Sequence, residues 1–263
     1  MKDKNLYLFD IDGTLMLGDN IIDGSVELLD EIKKQKKKYI FITNNSTKTA
    51  HEYAEEFKKL GIDTKPENFI TALTATIKYL KKYYTGKKVF VLGTESVRKE
   101  IAANNIIVTD KYEEGISCAL ASFDNELTYK KLTDICKVLR DENVSFVATN
   151  PDLVCPVENG YIPDCGSICM MIENAVKRKP KYIGKPNTIM IDMSIKQMSI
   201  TKEEAIIVGD RLSTDILCGI KSEVDTAAVF TGETNAEEIQ NSNIKPTYIY
   251  NSVKDIYNEI RNN

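Results

Sequence analysis

Residues 6–14 read LYLFDIDGT, a four-residue apolar run, Leu6 to Phe9, that ends in two carboxylates, Asp10 and Asp12. The run is too short for a helix and apolar on both faces, the pattern of a strand buried in a parallel sheet. Side chains two positions apart on a strand point the same way, so Asp10 and Asp12 can share one site. Gly13 lets the chain turn away sharply. Open α/β sheets bind ligands outside the carboxyl ends of their strands, where this pair falls. Two carboxylates held together repel unless a proton or cation is added, and hard oxygen donors favour magnesium or calcium. A D-x-D-G pattern also opens a calcium loop of the EF-hand type, which needs a bidentate Glu at its twelfth position. Counted from Asp10 that position is Ile21, so the loop fails.

Working outward, Ser25 to Gln35 reads as a helix and Tyr39 to Thr43 as a second buried strand. Lys48 to Leu60 reads as a helix stopped at Gly61. This βαβα order predicts a parallel sheet with helices on its faces. Strand-like runs recur at 89–92, 116–121, 144–148, 205–208 and 226–230. Helix-like stretches recur at 96–104, 129–141, 166–177 and 214–221. Seams near Tyr83 to Lys88 and Lys177 to Pro186 enclose about one hundred residues of α/β pattern, enough for a small domain. The expected organisation is therefore a core from 1–83 and 181–263 with a smaller α/β domain, 84–180, inserted in it. One long open sheet is the other arrangement this pattern allows.

Of the 263 residues, 42% are hydrophobic and 28% charged, a globular composition. The net charge of −4 offers no basic excess for a phosphate backbone, so no nucleic-acid partner is expected. No stretch approaches the roughly 20 apolar residues of a membrane span, so no membrane partner is expected. Six cysteines show no zinc spacing, and the run before Asp10 is too short for a signal peptide, which predicts free thiols in a cytoplasmic protein. The single histidine, His51, reads as a solvent-facing helix residue. Hydrolytic chemistry must then lean on carboxylates, lysine and metal.

Three further patterns follow strands or turns. Thr43-Asn44-Asn45-Ser46 ends the second strand with hydroxyl and amide groups that suit either an anion or a helix cap. Gly184-Lys185-Pro186 fixes a lysine that can serve a phosphate as a point charge. Gly209-Asp210-Arg211 ends another apolar strand, with Asp215 five residues on. Each is weak alone. In this order, with Asp10-Ile11-Asp12-Gly13-Thr14, they resemble the haloacid dehalogenase superfamily. TNNS, GKP and GDR-x3-TD are most similar to its NagD-like, p-nitrophenyl phosphatase branch. Thr43 lies 33 positions after Asp10 and Lys185 lies 142 after Thr43, so the insertion follows the second motif, as in members with a C2-type cap. Phe146 to Asp152 (FVATNPD) resembles a strand and loop of that cap. Asp164-Cys165 departs from the small residues usual in the branch.

The resemblance implies a doubly wound, Rossmann-like core and a Mg2+-dependent phosphatase acting on small phosphorylated metabolites, with p-nitrophenyl phosphate as surrogate. It assigns Asp10 as nucleophile, forming an aspartyl-phosphate, and Asp12 as acid and then base. Thr43, Asn44 and Lys185 would bind the phosphoryl oxygens. Asp10, the carbonyl of Asp12, and Asp210 would hold the metal, with Asp215 supporting. It also implies a homodimer through the cap. Asn150 and Asp152 read either as cap residues that meet the leaving group or as ordinary turn chemistry. Two other readings of the same fold are a phospho-accepting signalling domain and a catalytically silent phosphate-binding module. A dinucleotide site is disfavoured because Gly13 and Gly18 do not supply G-x-G-x-x-G.

Overall fold

The structure, a computed structural model, describes residues 1–46, 48–157 and 160–262. In chain order the elements begin β1 (Leu6–Phe9), β2 (Met16–Leu17), β3 (Asn20–Ile21), α1 (Ser25–Lys34), β4 (Lys38–Thr43) and α2 (Ala50–Lys59). A 3-10 turn, Pro66–Asn68, leads to β5 (Phe69–Thr71), α3 (Ala72–Tyr83), β6 (Lys88–Leu92), α4 (Glu95–Ala103), β7 (Ile107–Thr109) and β8 (Ile116–Ala121). There follow α5 (Tyr129–Val138), β9 (Ser145–Ala148), β10 (Val154–Val157), β11 (Gly160–Pro163), α6 (Cys165–Val176), β12 (Lys181–Tyr182) and α7 (Ile189–Met198). The chain ends with β13 (Ala205–Gly209), a π turn (Leu212–Ile216), α8 (Leu217–Ser222), β14 (Asp225–Val229), α9 (Ala236–Asn241), β15 (Tyr248–Tyr250) and α10 (Val253–Arg261). Among the described residues no helix is long and apolar enough to cross a membrane.

Two compact units result: Met1–Thr43, Ala50–Thr71 and Lys185–Asn263 form the first, and Asn44–Thr49 with Ala72–Gly184 the second. The boundaries fall at Thr71 and Gly184, where the sequence pattern set them at 83 and 180. The differences are α3, β12 and the segment Asn44–Thr49, all of which cluster with the second unit. There the Tyr79 ring of α3 takes the Lys181 ammonium 5.0 Å from its centroid.

The first unit is built on a six-stranded parallel sheet, ordered β15-β14-β13-β1-β4-β5. β1 lies at the middle with every side chain buried, which accounts for its unbroken apolar run. Phe9 aligns with Val208 on one side and Phe41 on the other, so the chain segments after β1, β4 and β13 emerge at one edge of the sheet. On one face Phe41 packs between Phe57 of α2 and Phe69 of β5, with ring centroids 4.9 and 4.7 Å away. Burying each such ring contributes about 1.5–3 kcal/mol, which fixes α2 and β5 on β4. The second unit has its own five-stranded parallel sheet, β12-β9-β8-β6-β7, and its own apolar core under α5 and α6. β10 and β11 pair antiparallel beside it.

Candidate active site

Asp10 is the first residue beyond β1, and its N–H still donates to Val208 O on β13 at 2.9 Å. That last ladder bond fixes the backbone while the side chain leaves the sheet edge. Its carboxylate is buried, and Lys185 Nζ reaches Asp10 Oδ1 at 2.5 Å. The same ammonium lies 2.7 Å from Asp215 Oδ1 and donates to Ile42 O at 3.0 Å. At 2% exposure Lys185 has no water to replace these partners, so its position is determined by the two carboxylates and one carbonyl.

Asp210 occupies the corresponding position after β13. Its Oδ2 accepts from the Glu233 N–H at 2.9 Å, and its own carbonyl accepts from Thr234 N–H at 3.0 Å. Two glycines make room for it. A Cβ on Gly232 would lie 1.9 Å from Asp210 Oδ2, and one on Gly13 would lie 2.5 Å from the same oxygen. Gly13 also has φ +83, so both conformation and space demand glycine there. Thr231 Oγ1 holds the turn by donating to Gly13 O at 2.6 Å.

Asp215 sits in the π turn, a local widening of the helix often found at functional sites. The turn sets its Cβ against Gly209, where an added Cβ would lie 2.3 Å away. Its two oxygens are both engaged, Oδ1 by Lys185 and Oδ2 by the Arg211 N–H at 3.2 Å.

Asp10, Asp210 and Asp215 thus offer carboxylate oxygens within 4.8 Å of one another, all buried. Burial raises the Asp10 carboxyl well above the ordinary range. Lys185 opposes that rise, and the charges of Asp215, Asp210 and Asp12 add to it. Asp210 is raised to about 6 by burial first and by Asp215 second. Burial alone would lower the Lys185 ammonium, but Asp10 and Asp215 outweigh it and hold the group above the ordinary lysine value. Three buried carboxylates facing one ammonium leave a deficit of positive charge, and their donors are all hard oxygens. A small divalent cation such as Mg2+ fits that deficit.

The structure therefore brings Asp10, Lys185, Asp210 and Asp215 together. Asp12 follows in the loop, half-buried and close enough to act on Asp10 electrostatically. Thr43 closes β4 and is buried. Asn44, the next residue, clusters with the second unit, where Gly184 packs against it. In that unit Asn150 is fully buried, accepts from Thr149 Oγ1 at 2.8 Å and donates to Asp152 Oδ2 at 3.0 Å, in agreement with turn chemistry. Asp164 caps α6 through the Cys165 N–H. His51 is exposed on α2.

Four contributors were not visible in the sequence. Thr231, Gly232 and the Glu233 N–H come from the loop after β14, which carries no distinctive pattern. Tyr53 of α2 is buried against Phe69 and hydrogen-bonded to Thr43. Burial first and Asp12 second raise its hydroxyl well above the ordinary tyrosine value. In the sequence it is simply one apolar position of an amphipathic helix.

Known proteins are similar to this chain along its whole length. A haloacid dehalogenase-like hydrolase family model matches residues 7–107, and a second model of the same kind matches 182–256. The acid sugar phosphatase of Staphylococcus haemolyticus is 32% identical over 263 residues, covering 100% of this chain and 99% of that one. The structure of 4-nitrophenylphosphatase from Thermotoga maritima superposes with a TM-score of 0.92 at 31% identity, covering 98% of each chain. That of the glycerol phosphate phosphatase from Mycobacterium tuberculosis in complex with magnesium gives 0.90 at 25% identity, covering 97% of this chain and 76% of that one. With a relative of this identity along its full length, the chain belongs to the haloacid dehalogenase-like hydrolases.

Proposed function

We propose that this chain is a Mg2+-dependent phosphatase that hydrolyses small-molecule phosphate monoesters through an aspartyl-phosphate on Asp10. The observation that carries the reading is the buried Asp10 carboxylate gripped by Lys185 beside Asp210 and Asp215. Relatives named for sugar phosphate, glycerol phosphate and 4-nitrophenyl phosphate support the substrate class.

Asp10 and Asp210, with the main-chain carbonyl of Asp12, are the groups that would hold Mg2+. When bound, the ion offsets the charge between an anionic nucleophile and an anionic substrate. The remaining work falls to the side chains. Lys185 fixes Oδ1 of Asp10 and supplies a positive charge to the phosphoryl group. An Asp10 oxygen attacks phosphorus, the ester P–O bond breaks, and the leaving alkoxide takes a proton from the Asp12 carboxyl. Water then attacks phosphorus and gives its proton to Asp12. The acyl phosphate P–O bond breaks, returning the Asp10 carboxylate and releasing inorganic phosphate. Thr43 and Asn44 are proposed to donate to phosphoryl oxygens. Asp215, with both oxygens engaged by Lys185 and Arg211, positions the lysine.

A cytoplasmic setting belongs to the same proposal, supported by six thiols without zinc spacing. So does a homodimer through the second unit, supported by exposed Tyr129 and Met171 beside a groove of about 400 Å3 between α5 and α6. The test of function is steady-state turnover of p-nitrophenyl phosphate and a panel of sugar and polyol phosphates. Many phosphates released per chain, lost on chelation and in Asp10→Asn, support it. A single phosphate retained per chain would instead indicate a phospho-accepting module.

A further inference from the structure

Four lysines from three stretches of the first unit line one pocket of about 330 Å3. Lys33 lies near the end of α1, Lys37 precedes β4 and Lys38 opens it, and Lys65 precedes the Pro66–Asn68 turn. One carboxylate, Asp63, lines the same pocket, and the Tyr39 ring forms a wall with the Lys33 ammonium 5.6 Å from its centroid. Among the described residues, none of the four ammonium groups is ion-paired. Three of them turn instead to main-chain carbonyls: Lys33 donates to Asp63 O at 2.8 Å, Lys37 to Lys2 O at 2.5 Å, and Lys38 to Met198 O at 2.6 Å. The whole chain sets 35 basic against 39 acidic residues, so four lysines against one carboxylate in a single pocket depart from the overall balance.

We propose that this pocket is a second anion site and that it takes a small polyphosphate, two or three linked phosphoryl groups that are free or end a nucleotide. Each ammonium is a compact point charge suited to phosphate, and four of them call for several linked negative charges rather than one. The volume lies at the lower end of small-ligand pockets, which span about 300–1,000 Å3. The site is distinct from the carboxylate cluster. Lys38 opens β4 and Thr43 closes it, and five steps of about 3.3 Å put the two ends of that strand roughly 17 Å apart.

The test is calorimetric titration of sodium tripolyphosphate into the full-length, metal-free protein, so its outcome does not depend on turnover. Without metal, the three buried carboxylates repel anions from the catalytic cluster. One saturable site is expected. It should weaken about tenfold or more in a Lys37→Gln, Lys65→Gln double variant whose thermal midpoint is unchanged, and weaken as salt rises. Asp10→Asn should bind tripolyphosphate as the parent does. A parallel titration with ATP separates the two sources: tighter binding than tripolyphosphate places a nucleotide in the pocket, and equal or weaker binding places the phosphates alone there. Undiminished binding in the double variant, no saturation by about 1 mM tripolyphosphate, or tighter binding of a DNA duplex at the same salt overturns the proposal.

Discussion

Replacing Lys185 by methionine keeps most of the side-chain volume and removes the ammonium that contacts both Asp10 and Asp215, at 2.5 and 2.7 Å. Both carboxylates are buried, so neither can recover its loss from solvent. Breaking a buried pair on one side costs about 3–5 kcal/mol, a large part of the roughly 5–15 kcal/mol that holds a domain together. The pH dependence follows from the carboxyls. An acid raised in the folded state destabilises it once the unfolded chain has ionised. For Asp210 that cost begins above its ordinary 3.8 and is complete above about 6. Asp10, deprived of its lowering partner, rises further in the variant and extends the cost upward. The lysine itself, raised in the folded state, contributes fully below about 10.4, so its own contribution is constant between pH 5 and 8. Urea unfolding of metal-free protein should therefore show the variant less stable by about 3–5 kcal/mol at pH 8 and by clearly less at pH 5. Saturating Mg2+ should recover part of the loss at pH 8, because a ligand bound only by the folded state adds stability. Equal stability of parent and variant at pH 8, or a gap that widens toward pH 5, refutes the reasoning.

Gly232→Ala places a methyl group 1.9 Å from Asp210 Oδ2, so the carboxylate must move; Mg2+ titration of turnover should show affinity weakened about 10–100-fold, and an unchanged titration separates Asp210 from the metal. Asp12→Asn should slow phosphorylation by about 10²–10⁴-fold on alkyl phosphates and much less on p-nitrophenyl phosphate, whose leaving group needs no proton. Equal single-turnover losses on both substrates would confine Asp12 to shaping the loop. Calcium should support far less turnover than Mg2+, because its larger, looser shell misplaces the in-line geometry. Comparable rates with the two ions in a chelated and reconstituted preparation argue against that geometry.

Much of this site could be read from residues whose chemistry conflicts with their surroundings. Asp10 and Asp210 are acids at the ends of wholly apolar strands, a placement with little purpose outside a site. The buried strands are legible because β1 and β13 are unbroken apolar runs and β4 and β8 are apolar over most of their length. What stayed hidden depends on tertiary context. β5, three residues long, and α3, whose run of Ala72 to Tyr83 abuts it, show no separable periodicity, so the pattern puts the seam after Tyr83 and the packing puts it before Ala72. The loop after β14 supplies two main-chain N–H groups, one threonine hydroxyl and the absence of a side chain at Gly232, and none of these has a signature in residue type. By spacing, Asp215 falls at the start of the helix-like stretch 214–221. The π turn that aims it at Lys185 depends on Gly209 allowing close approach, a relation across strand and helix that spacing does not encode.

The placement of β1 between β4 and β13 has a consequence during synthesis. β4 is made within some thirty residues of β1, but β13 begins at Ala205, 196 positions after Phe9. At about 5–20 residues per second, one side of β1 waits roughly 10–40 seconds on the ribosome for its partner. Through that interval Leu6 to Phe9 present an unpaired, wholly apolar edge, the kind of surface that recruits other chains. The intervening unit, with a sheet and core of its own, can finish folding in that time. The nascent protein then completes its middle before its beginning, and the stretch that will carry Asp10 is the one most exposed to chaperones or to misassembly.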